Sequence, residues 1–191
     1  MTAFILNNPE TGSITEEQFY QLCAANRDLR LERTARGDLI IMPPTGGETG
    51  KRNSDINVEL NLWNRQSKLG VVFDSSTCFH LPDGSDRSPD ASWILLAKWD
   101  TLTAEEKEKF LPLCPDFVIE LRSPSDSLKL LQNKMQEYLD NGTRLGWLIN
   151  PKNRQVEVYR QGKEKEMLDN PTTLSGEEIL PGFVLNLSSI W

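Results

Sequence analysis

The stretch Asp116-Phe117-Val118-Ile119-Glu120-Leu121-Arg122 governs the reading of the whole chain. Side chains alternate along an extended strand. Phe117, Ile119 and Leu121 therefore point to one face, and Val118, Glu120 and Arg122 to the other. A carboxylate in so apolar a strand is costly unless it is paired or binds a metal. Two readings are open on the strand alone. Glu120 and Arg122 form a structural ion pair, or Glu120 belongs to a site and needs a second acid.

Asp116 is the nearest acid in sequence, but four residues of strand separate it from Glu120 by roughly 13 Å, too far to share one ion. Asp90 follows Pro89 at the entry to a separate strand, Ser88 to Leu95. Neighbouring strands bring side chains within a few ångströms of each other. The alternative for Asp90 is a plain strand-start residue after proline. A helix read over Ser125 to Asn141 has Leu128, Leu131, Met135, Tyr138 and Leu139 as its apolar stripe. Lys134 lies at the edge of that stripe, four residues before Tyr138, where its amine can reach the Glu120 end of the sheet. It could equally be a surface lysine whose stem packs and whose head stays in water. A second helix, about Lys51 to Lys68, has Ile56, Leu60 and Trp63 on one stripe. Glu59 falls on that stripe, so it has a buried partner or is another site carboxylate.

Outward from these segments the pattern is that of an α/β chain. Thr15-Glu16-Glu17-Gln18 has capping-box form and starts a helix to about Asn26. Leu29 to Thr34 and Leu39 to Met42 flank a turn at 35–38 and read as a hairpin. Val71 to Leu81 reads as one strand, with a turn at 82–85. Thr103 to Glu106 caps a short charged helix. Leu145 to Ile149 and Gln155 to Tyr159 form another hairpin, Asn141-Gly142 ends the preceding helix, and Leu180 to Leu185 is extended. No repeat or linker divides residues 1–191, which read as a single domain.

The chain has 191 residues, 38% hydrophobic and 26% charged, with formal charge -7. That is ordinary globular composition. No apolar run approaches the roughly 20 residues that span a bilayer. Met1 to Asn8 lacks the basic region of a signal peptide. Cys23, Cys78 and Cys114 are odd in number and far apart, which suits free thiols in a reducing cytoplasm. A single histidine, His80, makes a histidine-rich metal site untenable and is read as structural. Thr45 to Lys51 resembles a phosphate-binding loop only superficially, since Thr45 stands where glycine and Arg52 where serine or threonine is needed. The acidic total argues against a broadly basic surface, yet residues 120–165 hold 9 basic and 6 acidic side chains.

Pro89-Asp90, then Glu120-x-Arg122 on the next strand, then a helix, resembles the PD-(D/E)XK nuclease superfamily. More closely, Asp116 through Asp126 resembles a family of restriction-endonuclease-like proteins abundant in cyanobacteria. So do Lys134-Met135-Gln136-Glu137-Tyr138, Gly146 through Pro151 and Leu180-Pro181-Gly182-Phe183. The resemblance implies a restriction-endonuclease-like core, a mixed central β-sheet flanked by helices, here with an N-terminal helix and β-hairpin. It implies a Mg²⁺-dependent endonuclease, with Mn²⁺ as substitute, acting on nucleic acid, DNA in particular. A homodimer is expected on a separate ground: two sites about a two-fold axis can cut both strands of a duplex, and Trp191 with the apolar tail offers the surface.

In that reading Asp90, Glu120 and the Ile119 carbonyl bind the metal, and Glu59 holds a second ion or a water. Lys134 orients the attacking water and stabilises charge, and Arg122 steadies a phosphate oxygen. One departure stands out. The superfamily places lysine two residues after the acid, where this chain has Arg122. Arginine stays protonated and cannot act as a base. Related families move the lysine to the following helix, where Lys134 stands, with Lys129 as the fallback. The rival reading is a catalytically degenerate nuclease-fold protein acting as a binding or regulatory module.

Overall fold

Local signals set most element boundaries in the computed structural model, which describes residues 4–6 and 14–191. β1 (Phe4–Leu6) is followed by α1 (Glu16–Ala25), whose N-cap Thr15 and Gln18 close the expected capping box. β2 (Arg30–Arg33) and β3 (Leu39–Met42) form the expected antiparallel hairpin. α2 (Gly47–Ser67) begins earlier than its apolar stripe suggests, with Gly46 as N-cap. Most of Met1 to Asn8, on which the leader-peptide reading rests, lies outside the described residues.

The single strand expected over 71–81 is two strands. β4 (Gly70–Asp74) ends where the Asp74 side chain accepts hydrogen bonds from Ser76 N and Oγ, an Asx-type turn that breaks the ladder. β5 (Phe79–His80) then pairs with β6 (Asp86–Arg87) in a different sheet. Pro89-Asp90 forms a bend, and β7 (Ala91–Leu95) starts after it. Two short helices, α3 (Leu96–Trp99) and the Thr103-capped α4 (Ala104–Lys107), lead to β8 (Phe117–Leu121), every residue of which is buried.

α5 (Leu128–Asp140) carries the chain over to β9 (Leu145–Asn150), and β10 (Gln155–Arg160) returns antiparallel to it. β11 (Glu166–Asp169), which the sequence pattern did not reveal, is an edge strand. β12 (Thr173–Ser175) pairs with β13 (Val184–Asn186). The tail expected to be extended from Leu180 instead turns at Pro181-Gly182, where Gly182 has a φ of 78°, open to glycine at little cost.

The central sheet has the order β11-β10-β9-β8-β7-β4 and a separate sheet the order β1-β3-β2-β6-β5. Only β8 and β9 run parallel; the other pairings are antiparallel, so the central sheet is mixed. The parallel pair requires a crossover, and α5 is that crossover. Phe117, Ile119 and Leu121 join Ile56 and Leu60 of α2 and the buried Leu185, Leu187 and Ile190 in one core layer. Val118 joins Met135 and Tyr138 of α5 in the layer on the opposite face. The alternation read from the sequence thus sorts β8 correctly between two helices. Cys23, Cys78 and Cys114 are free thiols.

The Phe117 ring meets Trp147 edge-on with centroids 4.8 Å apart, and Trp147 stacks on Phe183 at 6.0 Å. Phe117→Ala should therefore cost about 3–5 kcal/mol in urea denaturation. Met167→Ala, on the exposed face of β11, should stay within about 0.5 kcal/mol of the parent.

Candidate active site

Glu120 is the one residue of β8 that carries charge, and it opens onto a cleft of about 830 Å³. The hairpin β2–β3 forms the roof, with Glu32, Ile40 and Met42 lining it. The start of α2 and the end of β8 form the floor, and α5 closes one side with Leu131 and Lys134. Glu120 is 4% exposed. Its Oε1 lies 2.8 Å from Lys134 Nζ and accepts a 3.1 Å hydrogen bond from Tyr138 Oη. Among the described residues no hydrogen bond engages Oε2. The ion pair open on sequence grounds therefore exists, but with Lys134 rather than Arg122.

Lys134 reaches the site as its place on α5 predicts. Met135 and Tyr138 bury the helix against the sheet, and the adjacent Lys134 is carried over the end of β8. Asp90 lines the same cleft. Its Oδ2 accepts from the Leu121 backbone N–H at 2.9 Å, which ties the bend before β7 to the end of β8. Its Oδ1 accepts from Asn53 Nδ2 at 3.1 Å, and Asn57 Nδ2 donates to its carbonyl at 3.1 Å. Asn53 and Asn57 sit one turn apart on α2 and hold Asp90 from one side.

Three expectations are corrected. Glu59 is exposed and does not line the cleft. It lies one residue before Leu60, about 100° around the helix, which carries it off the buried Ile56–Leu60 stripe. Ile119 is fully buried, with Ala91 and Trp147 beside it in the ladders, and does not line the cleft; Leu121, where the strand ends, does. Arg122 does not line the cleft either. Its Nε donates to the Asp126 carbonyl at 3.2 Å and so holds the loop between β8 and α5. Lys129 is exposed on α5. Asp116 is structural, accepting from Leu95 N at 2.9 Å, and His80 pairs with Asp86 at 2.9 Å.

Sequence reasoning missed Glu32, Arg87 and the two asparagines. Glu32 Oε1 lies 2.8 Å from Lys134 Nζ, and its Oε2 lies 3.2 Å from Arg87 Nη1. Arg87 also pairs with Glu137 at 2.6 Å. The signal available for Glu32 was its place in a hairpin strand, on the face opposite Leu31.

Four carboxylates (Glu32, Asp90, Glu120 and Glu137) thus surround two cations (Arg87 and Lys134). Desolvation by burial pushes the Glu120 pKa up to about 7, opposed by Lys134 and reinforced by the charges of Asp90 and Glu32. Burial also raises Asp90, against the Leu121 hydrogen bond and the charge of Lys134. Burial opposes ionisation of Glu32 as well, but there Lys134 and Arg87 prevail and its pKa is lowered. Burial works against the charge of Lys134, yet Glu120 and Glu32 outweigh it and raise its pKa. Lys134 is therefore a fixed ammonium, not a base.

The donors present fit a hard divalent cation. Asp90 and Glu120 share the cleft, Glu120 Oε2 is unengaged, and burial raises both pKa values. Among the described residues no group of three or more His, Cys, Asp or Glu side chains could hold a metal ion. Two carboxylates with the remaining positions left to water and phosphate oxygens is the Mg²⁺ pattern.

The family model described as "Uma2: Putative restriction endonuclease" matches residues 16–188. The chain belongs to the Uma2 family. The crystal structure of "a putative nuclease belonging to DUF820 from Anabaena variabilis ATCC 29413" is similar at 24% identity, covering 84% of this chain and 88% of that one with a TM-score of 0.72. That likeness extends the restriction-endonuclease-like fold over most of this Uma2 chain. No curated protein matches. Among the described residues no helix is long and apolar enough to cross a membrane.

A titration follows from Glu120. Its pKa of about 7 in the folded protein stands above the ordinary 4.5. Between those values the native state holds a proton that the unfolded chain has released, so stability falls as pH rises through the window. The loss is on the order of 3 kcal/mol. Glu120→Gln removes this dependence, so in metal-free buffer its Tm should gain on the parent from pH 5 to pH 8. A constant Tm difference would show that Glu120 ionises normally.

Proposed function

We propose that this Uma2 protein is a Mg²⁺-dependent endonuclease that hydrolyses phosphodiester bonds in DNA, with Mn²⁺ able to substitute. The observation that carries the reading is the cluster of Asp90, Glu120 and Lys134 in one open cleft, with the ammonium 2.8 Å from the buried carboxylate. Asp90 and Glu120 would hold the ion, which supplies Lewis acidity and a water of lowered pKa. Tyr138 and Lys134 fix Glu120 Oε1, so Oε2 would be the oxygen to hold the ion. Asn53, Asn57 and the Leu121 N–H fix Asp90. Lys134 lies where it can orient the attacking water and offset charge that develops on the phosphate. The first turn of α2, which follows an N-cap with no side-chain hydrogen bond, lines the cleft and presents backbone N–H groups suited to phosphate.

The rival, a nuclease-fold binding module that has lost its chemistry, draws on Arg122 at the usual lysine position. The placement of Lys134 favours the enzyme, because an ammonium is supplied from α5 instead. The acidic cleft would repel a polyanion without the ion, so DNA binding in this reading depends on metal.

Cutting both strands of a duplex is most simply done by two copies about a two-fold axis, and we propose a homodimer on that ground. The surface differs from the one the sequence suggested. Ile190 and Leu187 are buried in the chain's own core, and Trp191 packs against it with its indole N–H on Pro171. Val58 and Leu62 of α2, with Leu69, Leu95 and Leu96 near the β4 edge, are exposed instead. Free thiols suit a cytoplasmic setting.

Lys134→Ala should keep Mn²⁺ binding and lower DNA cleavage by about 10²-fold or more, the usual scale for a lost charge-stabilising group. Lys129→Ala should cleave like the parent, and Asp90→Asn should lose Mn²⁺ affinity in a direct titration. Equal cleavage by parent and Lys134→Ala would remove the lysine from the mechanism. No metal-dependent cleavage of any DNA or RNA would favour the binding module. Light scattering at micromolar concentration should give twice the chain mass, reduced to the monomer in Leu62→Arg.

A further inference from the structure

Lys134 has a second carboxylate, and it comes from the other sheet. Glu32 lies on β2, 102 residues away in sequence, and is 2% exposed. Its Oε1 accepts from Lys134 Nζ at 2.8 Å and from the Ser88 backbone N–H at 3.0 Å, and its Oε2 accepts from Arg87 Nη1 at 3.2 Å. Both oxygens thus pair with a cation, and Oε1 also holds a backbone N–H. Glu32 lines the cleft but is turned to Lys134 and Arg87, whereas Glu120 keeps one oxygen unengaged.

Lys134 is held equally, at 2.8 Å, by Glu32 and by Glu120. A divalent cation on Glu120 competes with this ammonium for the same negative charge, and like charges held close together beside buried side chains repel. Glu32 is the carboxylate that can retain the lysine when Glu120 serves the ion. Without its charge, Lys134 has only Glu120 to pair with and opposes metal entry. Arg87 would still have Glu137.

We propose that Glu32 is a positioning residue that anchors Lys134 to the roof of the cleft, so that Glu120 is available to a divalent cation while the ammonium stays within reach of the phosphate. The inference rests on the metal-site reading above, and it assigns the hairpin β2–β3 a part in that site beyond covering it.

Mn²⁺ binding to the full chain, followed by electron paramagnetic resonance without DNA, tests the idea in four proteins: the parent, Glu32→Gln, Lys134→Met and the double variant. Glu32→Gln should weaken Mn²⁺ about tenfold in the parent, the scale of a lost outer-sphere partner. In the Lys134→Met background it should change affinity by less than about twofold, because the competitor is gone. With DNA at saturating Mn²⁺, Glu32→Gln should lower kcat about tenfold and leave KM within about twofold.

An equal Mn²⁺ penalty in both backgrounds, or none in either, overturns the proposal, since Glu32 would then act only as general negative charge or as scaffold. If Glu32→Gln alone does not fold, folding of the double variant supports the pairing with Lys134, and failure of both overturns it. Background-dependent Mn²⁺ binding in a protein that cleaves no DNA supports the role of Glu32 and overturns the nuclease reading. A parent that binds no Mn²⁺ overturns both.

Discussion

A buried ammonium shared by two carboxylates is the constraint around which this protein is arranged. Lys134 is 11% exposed, and its two acids stand on different sheets. Removing such charges from water costs several kcal/mol per ion, recovered only through close pairing and further hydrogen bonds. The surrounding chain supplies them: Tyr138 on Glu120, the Ser88 N–H on Glu32, and Arg87 linking Glu32 to Glu137. The roof hairpin, the bend before β7, the end of β8 and α5 therefore have to meet at one point, which ties the separate five-stranded sheet to the central one.

The pairing is incomplete, and the deficit has a direction. Glu32 is kept ionised by its two cations, while Glu120 and Asp90 are left with raised pKa values on the floor of the cleft. The cluster does not minimise its electrostatic energy. Burial without full compensation falls on the two carboxylates nearest the end of β8, and groups perturbed in this way cluster at functional sites.

Much of this was legible in the sequence because it is periodic. The Phe117–Leu121 alternation placed β8 between two helices and put Glu120 and Lys134 on the same side. Pro89-Asp90 marked the start of the neighbouring strand, and the Thr15 and Thr103 boxes marked helix starts. What failed was what periodicity cannot carry. It assigns a face to Glu32 but not the helix that covers that face, so nothing singled out the acid. It grouped Glu59 with Ile56 and Trp63, although about 100° per residue turns it outward from the Ile56–Leu60 stripe. Arg122 lies beyond the last residue of β8, where alternation no longer governs direction, and the loop carbonyl of Asp126 captured it. Asn53 and Asn57 are neutral, and no charge drew attention to them.

The lone parallel pairing in the central sheet has a consequence for synthesis on the ribosome. β8 cannot acquire β9 as a neighbour until the whole of α5 has emerged and folded back, and contacts of such long sequence separation form slowly. A nascent chain that ends before residue 128 carries Asp90 and Glu120 but no Lys134, and its Glu32 has no ammonium to hold. The site is therefore finished by one of the later steps of folding, joining a residue from the first sheet to one that leaves the ribosome about a hundred residues afterwards. Truncated or half-folded chains have the acids without the lysine, so any activity that needs all of them is confined to completed molecules.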